Sequence, residues 1–150
     1  MGNIFNQDFR DFLLALNNSK VEYLLVGGYA VILHGYSRTT GDMDIWVNKT
    51  KSNYKKIVSA FQEFKMPVFD MTEENFLTHK QWDVYRFGKP PVAIDIMTKM
   101  GELNFMDCFT IAQNYNEDGL NIKLVHYNDL KKAKKAAGRF KDLNDLENLP

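Results

Sequence analysis

The stretch VEYLLVGGYAVILHGYSRTTGDMDIWV, residues 21–47, decides the fold of this chain. It opens with Glu22–Val26, which is too short for a buried helix, is rich in branched residues and ends at Gly27-Gly28. These features predict a core strand. The largely apolar run Tyr29–His34 follows, and it predicts a buried helix that begins at Gly28 or Tyr29. A sharp turn therefore joins the strand to the helix.

This glycine turn has two interpretations. The first N–H groups of the helix would point back at the turn, where unpaired donors and the helix dipole favour an anion. Glycine would also let phosphate oxygens approach the backbone. The alternative is a tight turn that needs positive φ and binds nothing. The turn alone does not decide between a phosphate site and a structural turn.

Two aspartates lie on one face of the next predicted strand, Asp42–Val47. Because side chains alternate along a strand, Asp42, Asp44 and Trp46 share a face. Adjacent carboxylates repel each other unless a cation or solvent offsets their charge. We expect Mg²⁺ or Mn²⁺, which are hard ions that prefer oxygen ligands. The alternative is a solvated Asp-x-Asp at the start of a strand.

A third carboxylate favours the metal interpretation. Asp95 lies in the alternating segment Val92–Met97, among apolar residues. An ionised aspartate inside an apolar strand is costly unless it has a partner, and a metal shared with Asp42 and Asp44 would supply one. Three carboxylates that face a glycine turn at a helix N-terminus are suited to metal-assisted phosphoryl transfer.

The glycine turn, an Arg-x-Thr-x-Asp-x-Asp segment and the later aspartate carry a family resemblance: Gly27, Gly28, Arg38, Thr40, Asp42, Asp44 and Asp95. This pattern resembles the nucleotidyltransferase superfamily, also described as DNA polymerase β-like, and within it the small bacterial abortive-infection toxin nucleotidyltransferases. The tail segment Lys135–Asp145 is similar to the end of that branch. One departure is that many relatives have a serine after the first glycine, whose hydroxyl assists the nucleotide phosphates, and Gly28 has no hydroxyl.

The resemblance implies an α/β (α+β) nucleotidyltransferase fold, a mixed sheet with helices packed on one side, in a single domain over residues 1–150. It implies transfer of a nucleoside monophosphate from an NTP to an acceptor, with release of pyrophosphate. The catalytic and metal-binding residues would be Asp42, Asp44 and Asp95. The nucleotide-binding residues would be Gly27, Gly28, Arg38, Thr40, Lys135 and Arg139.

Several acceptors and settings stay open. The acceptor is a tRNA or other RNA, a protein or a small molecule, and a toxin–antitoxin or phage-defence role would add a cognate protein partner. An antibiotic-modifying nucleotidyltransferase is a second hypothesis. A non-catalytic module that uses the fold only to bind a partner is a third. The three aspartates argue against a degenerate module, which has no reason to keep clustered carboxylates.

Composition is that of an ordinary globular protein, with 45% apolar and 25% charged residues. The 19 basic and 19 acidic residues cancel, so strong non-specific binding to nucleic acid is not expected. The longest apolar run, Tyr23–Leu33, is shorter than the roughly 18 residues of a membrane span, so no membrane association is expected. The absence of a basic n-region and the lone Cys108 predict a cytoplasmic protein.

Hydrophobic periodicity predicts the remaining elements. Helices are expected from Phe9 to near Asn18, over Ser52–Phe64 and over Phe105–Tyr115. Strands are expected over Trp82–Phe87 and Val92–Met97, which the glycine-and-proline connection Gly88–Pro91 would join as a hairpin, and over Asn121–His126. Phe69–Lys80 is expected to be a loop that contains one helical turn. The tail, residues 128–149, is predicted to be helical. If one helix ran through Gly138, a facet of Lys131, Lys135, Arg139 and Asp142 would form. That facet would face the triphosphate or an anionic acceptor, or would be a solvated charged surface.

Overall fold

The structure is a computed structural model that describes residues 5–88 and 93–150. Seven helices and six strands are interspersed along the described residues, which confirms the α+β class. In order they are α1 (Gln7–Asn18), β1 (Tyr23–Val26), α2 (Gly27–Leu33), β2 (Met43–Val47), α3 (Lys51–Phe64), α4 (Glu73–Thr78), β3 (Val84–Phe87), β4 (Ile94–Met97), α5 (Phe105–Thr110), β5 (Gln113–Glu117), β6 (Leu120–Leu124), α6 (Tyr127–Ala137) and α7 (Phe140–Asn148).

The strands form one mixed sheet in the order β3-β4-β2-β1-β6-β5. The pairs β1 with β6 and β2 with β4 are parallel, and the other neighbours are antiparallel. The mixed sheet is therefore as predicted. The register places Val26 beside Asp44, Asp44 beside Asp95, and Asp95 beside Arg86. This row of four residues across four strands positions the candidate site.

One face of the sheet packs against α1 and α3. The ring of Phe61 in α3 lies 5.6 Å from Phe12 in α1 and 4.9 Å from Phe87 in β3, measured between centroids. Phe12 and Phe61 are almost completely buried. Because Phe87 and Arg86 are adjacent in a strand, they point to opposite faces. Arg86 and the carboxylates of its row therefore lie on the face away from α1 and α3.

That second face is also covered in part. Phe105 of α5 packs edge-on against Trp46 of β2, with ring centroids 5.1 Å apart. Trp46 is 1% exposed, so this side of the sheet is apolar next to the carboxylates. Buried apolar rings therefore cover the sheet next to the Asp44 row, and the low local dielectric strengthens electrostatic interactions there.

Two predicted segments differ from the structure in the elements they contain. The Phe69–Lys80 loop contains the helix α4. The Thr72 side chain caps this helix by accepting a hydrogen bond from the N–H of Asn75. Glu73 and Glu74 in the first turn stabilise it further through the helix dipole. The predicted helix Phe105–Tyr115 is wrong in its last part, because the helix ends at Thr110 and β5 follows.

Strand β5 was missed because its side chains are exposed or only half-buried, so it lacks the apolar alternation of a buried strand. Its signal was the Asp118-Gly119 turn. Both residues have positive φ, 51° and 84°, which is typical of a tight hairpin turn of this composition. The hairpin of β3 and β4 was predicted correctly, although residues 89–92 of its connection lie outside the described residues.

The predicted tail helix is two helices. Gly138 adopts φ 65° and caps α6, and α7 begins at Phe140. Glycine at this position ends a helix because it enters the left-handed region without steric cost. The predicted charged facet therefore does not form, because it requires one continuous helix through Lys131, Lys135, Arg139 and Asp142. A continuous helix would also have set Phe140 on an apolar face with Leu130, Ala133 and Ala137, whereas Phe140 is 94% exposed.

Within residues 5–88 and 93–150, no helix is long and apolar enough to cross a membrane.

Phe61→Ala should destabilise the fold by about 3–5 kcal/mol, since it removes a buried ring between α1 and the sheet. Phe140→Ala is the matched control, because the same atoms are removed from an exposed position and the change should stay within about 0.5 kcal/mol. Urea unfolding followed by circular dichroism measures both. Equal losses for the two variants would contradict this account of the core.

Candidate active site

The glycine turn lies directly against a carboxylate. Gly27 has φ 67°, and a Cβ added there would lie 2.1 Å from Oδ2 of Asp44. A Cβ at Gly28 would lie 2.3 Å from Oγ1 of Thr40. Both positions thus exclude side chains, the first also for its positive φ. In the described chain no side chain caps the first turn of α2, which leaves its N–H groups for another acceptor.

Arg86 lies between two of the predicted catalytic aspartates. Its Nη2 is 2.7 Å from Oδ2 of Asp42 and 3.0 Å from Oδ2 of Asp95, and its Nε is 2.9 Å from Oδ1 of Asp95. Sequence reasoning missed Arg86, although the predicted hairpin was a usable signal because its register pairs Arg86 with Asp95. The structure therefore brings Asp42 and Asp95 together through a guanidinium.

Asp44 has a strongly raised pKa. Burial is the largest cause, and together with the nearby charges of Asp95 and Asp42 it raises the pKa of the Asp44 carboxyl from 3.8 to about 6. Lys134 and Lys141 act in the opposite direction on the same pKa. The three aspartates are thus close enough to interact, as the sequence predicted.

The residues fit a divalent ion by their chemistry. In the part of the chain that the structure describes, no three His, Cys, Asp or Glu side chains converge in a metal-binding arrangement. The donors are nevertheless hard oxygens, and the charges of Asp42 and Asp95 beside Asp44 are ones that a cation would offset. Metal binding by Asp42, Asp44 and Asp95 stays a prediction.

A cavity of about 530 Å³ opens beside these residues. Seven of the predicted site residues line it: Gly27, Gly28, Arg38, Thr40, Asp42, Asp44 and Arg139. Lys135 is not among the described residues that line it and is exposed, whereas the preceding Lys134 is buried and lines the cavity. The lysine expected at the site is therefore displaced by one residue.

Two buried aspartates of α7 hold three cations at the wall of this cavity. Nζ of Lys134 lies 3.2 Å from Asp142 and 2.9 Å from Asp145. Arg38 donates two hydrogen bonds to Asp145, at 2.7 and 2.8 Å, and Nε of Arg139 lies 2.7 Å from Asp142. Arg38 and Arg139, predicted to bind nucleotide, are thus already engaged by carboxylates.

The electrostatics of these two aspartates agree with the contacts. Burial by itself would raise the pKa of each carboxyl, but hydrogen bonds reverse the shift. Arg139 and Lys134 lower the pKa of Asp142, and Arg38 and Lys134 lower that of Asp145. Both carboxylates are therefore ionised at neutral pH, and the network fixes α6 and α7 against the cavity.

Two further cations at the cavity are not engaged in this way. Lys99 and Lys141 line it, and neither forms an ion pair with any residue that the structure describes. Lys141 is within electrostatic reach of Asp44, whose pKa it lowers. These two lysines can therefore meet an anionic ligand without first leaving a carboxylate.

Comparison with solved structures identifies the fold. The chain superposes on the lincosamide antibiotic adenylyltransferase LnuA in its lincomycin-bound form with a TM-score of 0.63 and 17% identity, covering 99% of this chain and 98% of that one. It also matches a proposed nucleotidyltransferase from Thermotoga maritima with a TM-score of 0.56 and 16% identity, over 93% and 88% of the two chains. No family model and no curated protein sequence matches. The chain has the nucleotidyltransferase fold that the sequence predicted.

The pKa of Asp44 predicts how stability changes with pH. Because the folded state binds this proton more tightly than the unfolded state, the free energy of unfolding should fall by about 2–3 kcal/mol as the pH rises from about 4 to about 6. Asp44→Asn should lack this component. The difference between the two proteins in urea unfolding, measured without metal, cancels the other titrating groups. A difference that stays constant from pH 4 to 7 would contradict the assignment.

The ion pairs of α7 predict that removing one of its buried carboxylates strongly lowers the free energy of unfolding. Asp145→Ala leaves Lys134 buried with a lost partner and should destabilise the protein by about 3–5 kcal/mol. Glu147→Ala, an exposed position on the same helix, should change stability by less than about 0.5 kcal/mol. Denaturant unfolding compares them, and a loss under about 1 kcal/mol for Asp145→Ala would show that the network is not structural.

Proposed function

We propose that this chain, which has the nucleotidyltransferase fold, transfers a nucleoside monophosphate from an NTP to an acceptor and releases pyrophosphate with the help of Mg²⁺ or Mn²⁺. The observation that carries the proposal is the contact between the Gly27 turn and Asp44 at a cavity with two free lysines. Such an arrangement places backbone N–H groups, carboxylates and cations around one polyanion.

Each part of the site has a role in this reaction. Asp42 and Asp44 would hold the ions, and Asp95 would bind one of them and help to deprotonate the acceptor. The metal would neutralise charge on the triphosphate and on the departing pyrophosphate. The Gly27 and Gly28 turn would bind phosphate oxygens through its N–H groups. In the absence of metal, the carboxylates alone would repel a nucleotide.

Thr40 can supply the hydroxyl that Gly28 lacks. Its Oγ1 occupies the space that a side chain at position 28 would enter, 2.3 Å from the added Cβ. A hydroxyl at this place lies beside the turn that would bind phosphate. We assign to Thr40 the phosphate contact that the turn serine makes in many relatives, so the departure from the family pattern does not remove the function.

The cations that contact the triphosphate would be Lys99 and Lys141. Arg38 and Arg139 line the cavity but are bound to buried carboxylates, so their main role in this proposal is to hold α7 in place. Lys135, which the sequence assigns to the nucleotide, is exposed and does not line the described cavity, so it has no part in this proposal. A free lysine can give its whole charge to a phosphate.

A small-molecule acceptor, such as an antibiotic, is the second part of the proposal. Its support is that the match to the lincomycin-bound adenylyltransferase LnuA extends over 99% of this chain and 98% of that one. A net charge of zero gives no reason to prefer RNA. RNA, protein acceptors and a cognate toxin or antitoxin are therefore alternatives that the same experiment separates.

The test is a transfer assay with α-labelled NTPs, Mg²⁺ or Mn²⁺, and three acceptor pools: lincosamides with aminoglycosides, total RNA, and protein extract. We expect label in the small-molecule pool and none with Asp44→Asn. Lys141→Gln should weaken nucleotide binding about ten- to a hundredfold, as expected for one charge-assisted contact, while Lys51→Gln on α3 should not.

Nucleotide binding without chemistry has its own readout. An NTP analogue with Mg²⁺ at about a hundredfold over its dissociation constant should stabilise the protein by about 2.7 kcal/mol. Thermal unfolding with and without the analogue measures this shift. No label in any pool together with no shift for any NTP would refute the enzyme and favour the partner-binding module.

A further inference from the structure

We propose that Arg86 is a tethered cation that neutralises Asp42 and Asp95 in the metal-free protein and that a divalent ion must displace to reach them. The inference rests on the metal site of the proposed function, because it concerns the same carboxylates. It adds a residue that neither the sequence motif nor the family resemblance includes. Arg86 thereby acts as a positioning residue that sets metal affinity.

The geometry is that of a competitor for metal ligands. One guanidinium makes three hydrogen bonds to the two aspartates, at 2.7, 2.9 and 3.0 Å. Arg86 and Asp95 are direct partners in the antiparallel pair of β3 and β4, so the backbone holds the cation beside its target. Both oxygens of Asp95 are engaged, and an ion that bound Asp95 would have to take at least one of them.

The guanidinium leaves one carboxylate for the ion. Among the described residues, its hydrogen bonds go to Asp42 and Asp95 and none goes to Asp44. A divalent ion carries twice the charge of Arg86 and approaches carboxylate oxygens to about 2.0–2.2 Å. It can therefore replace the guanidinium, but its affinity is reduced by the contacts that it must break.

The position of Arg86 at the edge of the sheet leaves room for its side chain to move when an ion binds. Arg86 is on the edge strand of the sheet and its side chain is 52% exposed. No further strand of the described sheet lies beyond β3. A displaced guanidinium can therefore turn into solvent at this edge while the ion occupies the carboxylates.

The test is calorimetric titration of the full chain with Mn²⁺ in the absence of nucleotide. Arg86→Gln removes the competing charge and should bind Mn²⁺ roughly tenfold more tightly than the wild type. Without metal, Arg86→Gln should also melt at a lower temperature than the wild type, because its carboxylates have lost their counter-charge. Added metal should raise its melting temperature by more than that of the wild type. Arg10→Gln is the matched control: it loses the same charge, but Arg10 pairs with Glu117 at the far edge of the sheet.

Nuclear magnetic resonance gives a readout that a merely structural role would not move. The Nε–H signal of Arg86, assigned by its loss in Arg86→Gln, should shift during a Mg²⁺ titration. Equal or weaker Mn²⁺ affinity in Arg86→Gln, with transfer activity intact in the wild type, would overturn the inference and leave the proposed function standing. No Mn²⁺ binding by either protein would overturn both the inference and the metal site.

Discussion

Repulsion among Asp42, Asp44 and Asp95 is the constraint on which the site depends. The parallel pairing of β2 and β4 sets Asp44 beside Asp95, and the start of β2 adds Asp42. Three negative charges in a partly dry place are stable only with cations nearby. The chain supplies one in direct contact, Arg86, and others at a distance. In the function proposed above, a divalent ion would offset the negative charge that remains.

The C-terminal helices complete the cavity through a second balance of charge. Asp142 and Asp145 are almost completely buried, and each is paired with Lys134 and one arginine. Removing any partner would leave a buried charge, so the network fixes the position of α7 more strictly than apolar packing alone. Arg38 and Arg139, which the sequence assigns to the nucleotide, are paired with these carboxylates, whereas Lys99 and Lys141 line the cavity without an ion pair to any described residue.

The central elements could be predicted from the sequence because their patterns are local. The Gly27 turn, the alternation around Asp44 and Asp95 and the hairpin of β3 and β4 all follow from nearest neighbours along the chain. Arg86 was missed because its meaning depends on register, which places it opposite Asp95. Strand β5 was missed because an exposed edge strand needs no apolar alternation.

The tail shows the other limit of sequence reasoning. The spacing of the charged residues predicts one helix that continues through Gly138. A glycine that follows lysines such as Lys134 and Lys135 is also a typical helix C-cap, and the helix does end there. Once the helix breaks, each later residue changes its direction. Lys134 then reaches Asp142 and Asp145 across the break, eight and eleven positions further along the chain, a contact that no periodic pattern contains.

A crystal structure with Mn²⁺ and a non-hydrolysable NTP analogue would show whether the three aspartates hold metal beside a bound nucleotide. Anomalous scattering locates manganese independently of the protein coordinates. We expect a manganese peak coordinated by Asp42 and Asp44, with the triphosphate between the Gly27-Gly28 turn and Lys141. Manganese absent from these carboxylates, or a nucleotide bound outside this cavity, would contradict this expectation.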